Sequence, residues 1–477
     1  MEILCYDKVI SKELYNSFLA NNLIYGNETD FGSLITPSST LLEKNEVKEI
    51  GSDLAVLWEL YRIWNKLYQH SLVNEAPSWI KEYSEHSMGD EEVLISRMFS
   101  SAELEPSLCR VDYVCLGTKR CIAEVQWRFG GPGLFFGMQD VYSNVLPAAS
   151  GEEALGSTIK GLHDVIGQFI GDHDAVAVNL VRGVWLNGES YLEKAYKNMG
   201  LRYIPITIEE AGSRIVNRDG DFFAIDEEGK SHKIGFLNGH SFIRFFPKKE
   251  LVELAKSALD ARIWIETPLN YIYRQKWGLA LPFMEEYKKL FSNRIREIVI
   301  PTALLNGRKP DLSPIVPYVK HPQVDKLLHI ESLMDLAELP TSLRKVLVLK
   351  CGSGTGEFYI DGKGVFRLTG SREYVRKTLE FIKHRVDCNE PWIIQPYIDE
   401  KYEIPVSLPW ALDSSTLINA HARVMIFGSR CGNNQPAIIG GLGNYGEYWK
   451  VSGRTPCMSE QGSIGGTAFN DIRVTYN

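Results

Sequence analysis

Apolar side chains recur at helical spacing in the first hundred residues. Leu54, Leu57, Leu60, Tyr61, Trp64 and Leu67 fall on one face. Ser52 and Asp53 offer side-chain oxygens for an N-terminal cap just before them. A packing helix is predicted, with Trp58 and Trp64 in its core, inside a mainly helical region over 1–105. The period then changes. Val111 to Leu116 and Cys121 to Trp127 alternate and are rich in β-formers, with Gly117-Thr118-Lys119-Arg120 between them. That is a β-hairpin. Gly130-Gly131-Pro132-Gly133 breaks the pattern and is read as the start of a loop.

Over 155–300 helical and extended patterns alternate, as in an α/β domain. Ala175 to Val181 reads as a buried strand and Tyr191 to Met199 as a helix ending at Gly200. Arg218-Asp219-Gly220-Asp221 and Asp226 to Lys230 read as turns on either side of a short strand. Prolines 301, 310, 314 and 317 mark a boundary or a segmented connection. A second α/β unit follows over 345–477. Its predicted strands are Val346 to Lys350, Phe358 to Ile360, Gly364 to Leu368 and Trp392 to Gln395. A helix opening at Ser371 runs to about Val386.

Composition adds limits. At 477 residues, with 44% apolar and 23% charged positions, the chain suits a soluble protein of two to four structural units. The formal net charge of −8 offers no broad basic field, which argues against nucleic acid as a partner. No apolar run reaches the roughly 18 residues that cross a bilayer, and the start has no basic n-region. The eight cysteines form no CxxC pair, and the six-residue spacing of Cys109, Cys115 and Cys121 is too wide for a usual zinc site. They read as reduced thiols, so a cytoplasmic location without membrane attachment is expected.

Three constellations offer chemistry. Arg110-x-Asp112 and Glu124-x-Gln126 share one hairpin face if the strands pair in register. Three oxygen-bearing groups beside an arginine suit Mg²⁺ with bound phosphates; the alternative is a solvated face with a cross-strand ion pair. Next, a strand ends in Lys350 before Gly352-Ser353-Gly354-Thr355-Gly356, where glycines admit phosphate to the backbone N–H groups. The lysine precedes its loop, unlike a Walker A sequence, and the glycine spacing is not GxGxxG; the alternative is an ordinary hairpin turn. Last, Arg423 interrupts an apolar strand, facing either a phosphate or solvent, with His421 on its side. Neither HExxH nor Gly-x-Ser-x-Gly occurs.

Taken in order, these stretches resemble a circularly permuted ATP-grasp ligase, the arrangement of glutathionylspermidine synthase and related bacterial peptide-bond-forming enzymes. Arg110-Val111-Asp112 and Glu124-Val125-Gln126 are similar to that family's early metal-binding hairpin. Asp219-Gly220 through Glu228-Gly229 to Phe242-Ile243-Arg244-Phe245 resembles the end of its pre-ATP-grasp domain. Asn306-Gly307-Arg308-Lys309 resembles its Asn-Lys segment, with Lys320 as the alternative lysine. Leu349-Lys350-Cys351-Gly352-Ser353-Gly354 resembles its second lysine and phosphate-covering loop. Trp392 to Tyr397 resembles its adenine-binding hinge. Ile439-Gly440-Gly441-Leu442 and Ile464-Gly465-Gly466-Thr467 resemble its closing glycine pairs. Gln126 stands where the family has Asn, and Cys351 where many members have Pro.

The resemblance covers about 108–477 and implies an α/β (α+β) protein with a permuted ATP-grasp fold. Its units would be a mainly helical region (1–105), the metal-binding hairpin (106–150), a pre-ATP-grasp-like α/β domain (151–300) and the nucleotide-binding subdomains (301–477). The implied activity is ATP-dependent ligation of a small-molecule carboxylate to an amine through an acyl phosphate, releasing ADP and phosphate. ATP and Mg²⁺ are the implied cofactors. Asp112, Glu124 and Gln126 would hold metal. Lys309, Lys350, Gly352, Ser353 and Gly354 would contact phosphates, Gln395 and Tyr397 adenine, and Arg110 and Arg423 the transferring group. The alternatives are a small-molecule kinase and an inactive nucleotide-binding regulator.

Overall fold

A computed structural model describes residues 8–23, 34–36, 38–116, 119–127, 132–146, 152–170, 174–183, 186–238, 248–307, 309–353, 364–398, 400–408, 411–430, 435–446, 457–458, 464–465 and 467–475. The expected strand at Phe358 to Ile360, the turn residues Gly117 and Thr118, and Arg244, Arg308, Gly354 and Gly466 lie outside them.

Three mixed α/β layers organise the described chain. The largest sheet has nine strands. Its path runs Lys401–Leu408, Leu34–Ile35, Thr467–Thr475, Ala437–Gly446, Ala411–Ser429, Leu108–Leu116 and Lys119–Gln126. The predicted hairpin is therefore one edge of a sheet completed by the far end of the sequence. Alternation gives this sheet two coats. Val111, Tyr113, Ile122, Val424 and Ile426 face a core built on Leu54, Leu57, Trp58, Leu60, Tyr61 and Trp64. Met425, Phe427 and Leu442 face the helices Pro132–Val145 and Thr158–Phe169.

The second sheet has parallel pairings among Val176–Val181, Tyr203–Thr207, Ser231–Asn238 and Trp264–Glu266, with an antiparallel meander through Asp221–Ile225 and Ile215–Arg218. Asp219 and Gly220 both have positive φ, so the predicted turn closes a tight hairpin. The third sheet is antiparallel, in the order Ala303–Leu305, Trp392–Pro396, Leu347–Cys351 and Val365–Arg367. It packs on the helix Arg372–Asp387, whose predicted cap holds: Ser371 Oγ accepts the Tyr374 N–H at 3.2 Å.

Two sequence expectations are corrected. The first long helix is Lys44–Leu72, so Ser52 and Asp53 lie inside it and do not cap it. Glu43 N–H instead donates to Glu46 Oε2 at 2.7 Å. Val47 and Ile50 carry the apolar face of Leu54 and Leu57 back through these first turns, between charged and polar neighbours that mask the period. Asp53 is buried and receives Arg294, while the Ser52 hydroxyl donates back to the Lys48 carbonyl. The second correction concerns Pro132 and Gly133, which open a helix rather than a loop. Proline suits a first helical turn, where its missing N–H costs nothing. Gly133 is needed for close approach: a Cβ there would sit 2.2 Å from the Gly188 carbonyl oxygen of the helix Leu186–Asn198. That helix also begins earlier than the predicted Tyr191.

Among the described residues no helix is long and apolar enough to cross a membrane.

Candidate functional site

The hairpin register pairs Arg110 with Gln126 and Asp112 with Glu124, which puts all four on one face of the nine-stranded sheet. Met425 is the partner of Asp112 on the next strand, so Arg423 lies two residues along on the same face. Arg110 Nε donates to Asp112 Oδ1 at 2.8 Å and Nη2 to Oδ2 at 3.1 Å. Arg423 Nη1 lies 3.1 Å from the same Oδ2. Asp112 is 1% exposed, and both its oxygens are engaged by guanidinium groups.

Among the described residues Glu124 is engaged on one oxygen. Gln126 Nε2 donates to Oε1 at 2.9 Å, and Lys276 Nζ stands 3.1 Å from that atom. Burial alone would raise the Glu124 carboxyl. Lys276, then Lys350, Arg110 and Arg423, outweigh it and hold the carboxyl far below the usual range. Lys350 answers in kind. Burial lowers its ammonium to about 8, with Lys276 and Arg423 adding to the lowering and Glu124 opposing it. Among the described residues four basic side chains thus face two carboxylates, and this surplus of positive charge invites an anion.

Lys276 is the residue that sequence reasoning missed. It sits in Tyr273-Arg274-Gln275-Lys276-Trp277, which has neither helical nor strand period. The only local signal is a cation set among aromatics. Its place is fixed by main chain. Lys276 N–H donates to the Gly352 carbonyl at 2.7 Å, and Gly352 N–H donates to the Pro391 carbonyl at 2.7 Å. Three segments cross at Gly352, where a Cβ would meet Trp277 Cβ at 2.8 Å. Next to it, Trp277 is fully buried, its ring edge-on to Trp64 at 4.8 Å and to Trp79 at 5.6 Å. Glycine at 352 therefore has a packing reason as well as the expected phosphate-loop one. Ser353 is buried beside it.

The four-stranded sheet supplies the facing wall. Val348 pairs with Gln395 and Lys350 with Ile393, so Lys350, Gln395 and Tyr397 extend from one face by alternation. Gln395 is buried. Its Nε2 donates to Thr302 Oγ1 at 2.9 Å, and its Oε1 has no hydrogen-bond partner among the described residues. The Arg367 guanidinium lies 3.7 Å from the centroid of the Tyr397 ring. The Tyr397 hydroxyl is 3.3 Å from His421 Nε2, which links this wall to the strand of Arg423. Lys309 lies elsewhere: it is 52% exposed and paired with Glu331 at 2.6 Å. Lys320 is also exposed.

The donor set bears on a divalent cation. Among the described residues, no group of three or more His, Cys, Asp or Glu converges for a metal. Asp112 is spent on two arginines. Glu124 and the amide oxygen of Gln126 remain, a set that fits magnesium arriving with phosphates, because that ion commonly takes one or two carboxylates and completes its shell with phosphate and water.

No family model matches the sequence, and no curated protein matches it. Solved structures do. The chain is similar to a glutathione synthetase like-effector from Globodera pallida solved in its apo form, with 12% identity, 98% of this chain and 96% of that chain covered, and a TM-score of 0.55. It overlaps more loosely with a candidate gamma-glutamylcysteine synthetase from Methylobacillus flagellatus, with 14% identity, 82% and 87% covered, and a TM-score of 0.37. The first match gives the chain the mixed α/β fold of that glutathione synthetase-like structure from end to end.

Proposed function

We propose that the protein is an ATP-dependent carboxylate–amine ligase of the circularly permuted ATP-grasp type, built from the four units expected at 1–105, 106–150, 151–300 and 301–477. The observation that carries this reading is the meeting of Lys350, Lys276, Arg423 and the Glu124–Gln126 hairpin pair across two sheets. The likeness of fold to a glutathione synthetase-like protein supports it, as does the sequence order of hairpin, intervening α/β sheet and lysine-bearing strand.

In this reading a carboxylate substrate takes the γ-phosphoryl group of ATP, ADP leaves, and an amine displaces phosphate from the acyl carbon. Lys276 and Lys350 bind the phosphates, with Lys276 in the part expected of Lys309. Arg423 and Arg110 orient the transferring group and offset its charge, and Asp112 fixes both guanidinium planes. Such a site works by positioning and electrostatics and needs no nucleophile. Glu124 and Gln126 would hold magnesium, which supplies neutralisation of phosphate charge when bound. Gln395 offers its Oε1, which has no partner among the described residues, to the exocyclic amine of adenine, and Tyr397 its ring edge. Gly352 and Ser353 border the site and keep water from the activated acyl group.

The test is turnover of ATP with Mg²⁺, a pooled amino-acid and polyamine mixture and hydroxylamine, with products identified by mass spectrometry. ADP together with a hydroxamate is the expected result. AMP in place of ADP would overturn the chemistry. A second reading, a nucleotide-binding protein without turnover, draws on the engagement of both Asp112 oxygens by arginines. Its signature is ATP binding with no product from any amine.

A further inference from the structure

Resting on the nucleotide reading only for the class of anion, we propose that Lys276 is the resident cation of the Glu124 seat. It yields that seat when a polyphosphate takes its ammonium, so a divalent cation enters after the anion and because of it.

Three observations converge. First, the ammonium stands 3.1 Å from Glu124 Oε1, the same atom that accepts the Gln126 amide at 2.9 Å. A doubly charged ion bound to this oxygen would press against that ammonium. Second, the competition has no easy relief nearby. Lys350, Arg110 and Arg423 also act on Glu124, and Asp112 is committed to the two arginines. Among the described residues the surplus charge before a ligand arrives is positive, and it opposes entry of a free divalent cation. Third, Lys276 can move without refolding. Its main chain is tied to the Gly352 carbonyl and its neighbour Trp277 is buried, while its flexible four-carbon stem carries the charge. A phosphate chain held between Lys276 and Lys350 would draw the ammonium from the carboxylate and reverse the local charge. The Gln126 amide can then turn its oxygen toward the same space.

The coupling is reciprocal, as any linkage between two binding events must be. Removing the ammonium should open the seat to metal alone. Removing the carboxylate should release the ammonium to the anion.

The experiment uses the full-length chain and two probes. Mn²⁺ is titrated alone, with free ion read by electron paramagnetic resonance. ATP is titrated in EDTA by calorimetry. The expected Mn²⁺ result is weak binding to wild type, at least about tenfold tighter binding to Lys276→Met, and wild-type behaviour in Lys276→Arg, which keeps a cation at the carboxylate. Lys276→Gln replaces the methionine variant if that one does not fold. The expected ATP result is at least about threefold tighter binding to Glu124→Gln and weaker binding to Lys276→Met. Lys276→Met or Lys276→Gln binding Mn²⁺ no tighter than wild type would overturn the proposal, as would Lys276→Arg binding it as tightly as Lys276→Met. Failure of every form to bind ATP, with the Mn²⁺ pattern intact, would remove the nucleotide reading and leave the cation seat standing.

Discussion

Raising the pH through the titration of Lys350 should weaken anion binding by a predictable amount. Burial of this lysine on the Leu347–Cys351 strand penalises its charged form and brings the ammonium to about 8, against an ordinary value near 10.5. About ten in eleven molecules then carry the charge at pH 7, about half at pH 8 and about one in eleven at pH 9. If phosphate is taken up only by the charged form, the association constant for metal-free ATP falls about tenfold from pH 7 to pH 9. Bound phosphate favours the ammonium, so binding above pH 8 should also draw a proton from the buffer. Calorimetry in two buffers of different ionisation enthalpy measures both quantities. Lys350→Arg stays charged across the range and should give a flat profile. The stability effect has the opposite sign. Because the folded value lies below the unfolded one, the unfolded chain binds more protons between about pH 8 and 10.5. The cost of burying the charge is therefore relieved as pH rises through that window. A wild-type affinity that is level from pH 7 to 9.5, or an arginine variant as steep as wild type, would refute the assignment of Lys350 to the anion.

Other perturbations separate site from scaffold. Asp112→Asn leaves Arg110 and Arg423 without their carboxylate and should cost about 3–5 kcal/mol, read as a lower urea midpoint with an unchanged slope. Lys309→Ala removes an exposed pair and should change stability by less than about 1 kcal/mol, with ATP affinity within about twofold of wild type. Gly133→Ala drives a methyl into the Gly188 carbonyl and should destabilise by about 3 kcal/mol, the upper end of overpacking costs. Burial pushes the Glu266 carboxyl up to about 7, against the lowering by the Trp264 ring N–H and the Leu108 and Ser107 N–H groups that donate to it. Its contribution is full below about pH 4.5 and is lost as pH rises through about 7, a change of about 3 kcal/mol. Denaturant titrations at a series of pH values should show that loss in wild type and not in Glu266→Gln.

Local pattern and local chemistry were legible in the chain. Period-two alternation found the hairpin, and the same alternation put Arg110, Asp112, Glu124 and Gln126 on one face. A strand before glycines marked Lys350, and a serine before a helical period located the helix at Arg372. Such features are written within a few residues, where backbone geometry and side-chain direction repeat at fixed intervals. The start of the Lys44–Leu72 helix was hidden because only Val47 and Ile50 mark its apolar face among charged and polar residues, and the helix at Pro132 because glycine and proline read as a break. What the pairs do was not legible. The sequence puts three oxygen-bearing side chains beside an arginine. The fold spends Asp112 on two arginines, one of them from a strand three hundred residues later, and brings Lys276 to Glu124 from a segment without any period. Which charges meet depends on the crossing of Lys276, Gly352 and Pro391 and on a sheet whose neighbours come from opposite ends of the chain. Those contacts close over long sequence separations, and no repeat interval records them. The sequence determined the elements and the faces they present; the tertiary structure alone decided which ions share a pocket, because electrostatic partners are set by distance in space.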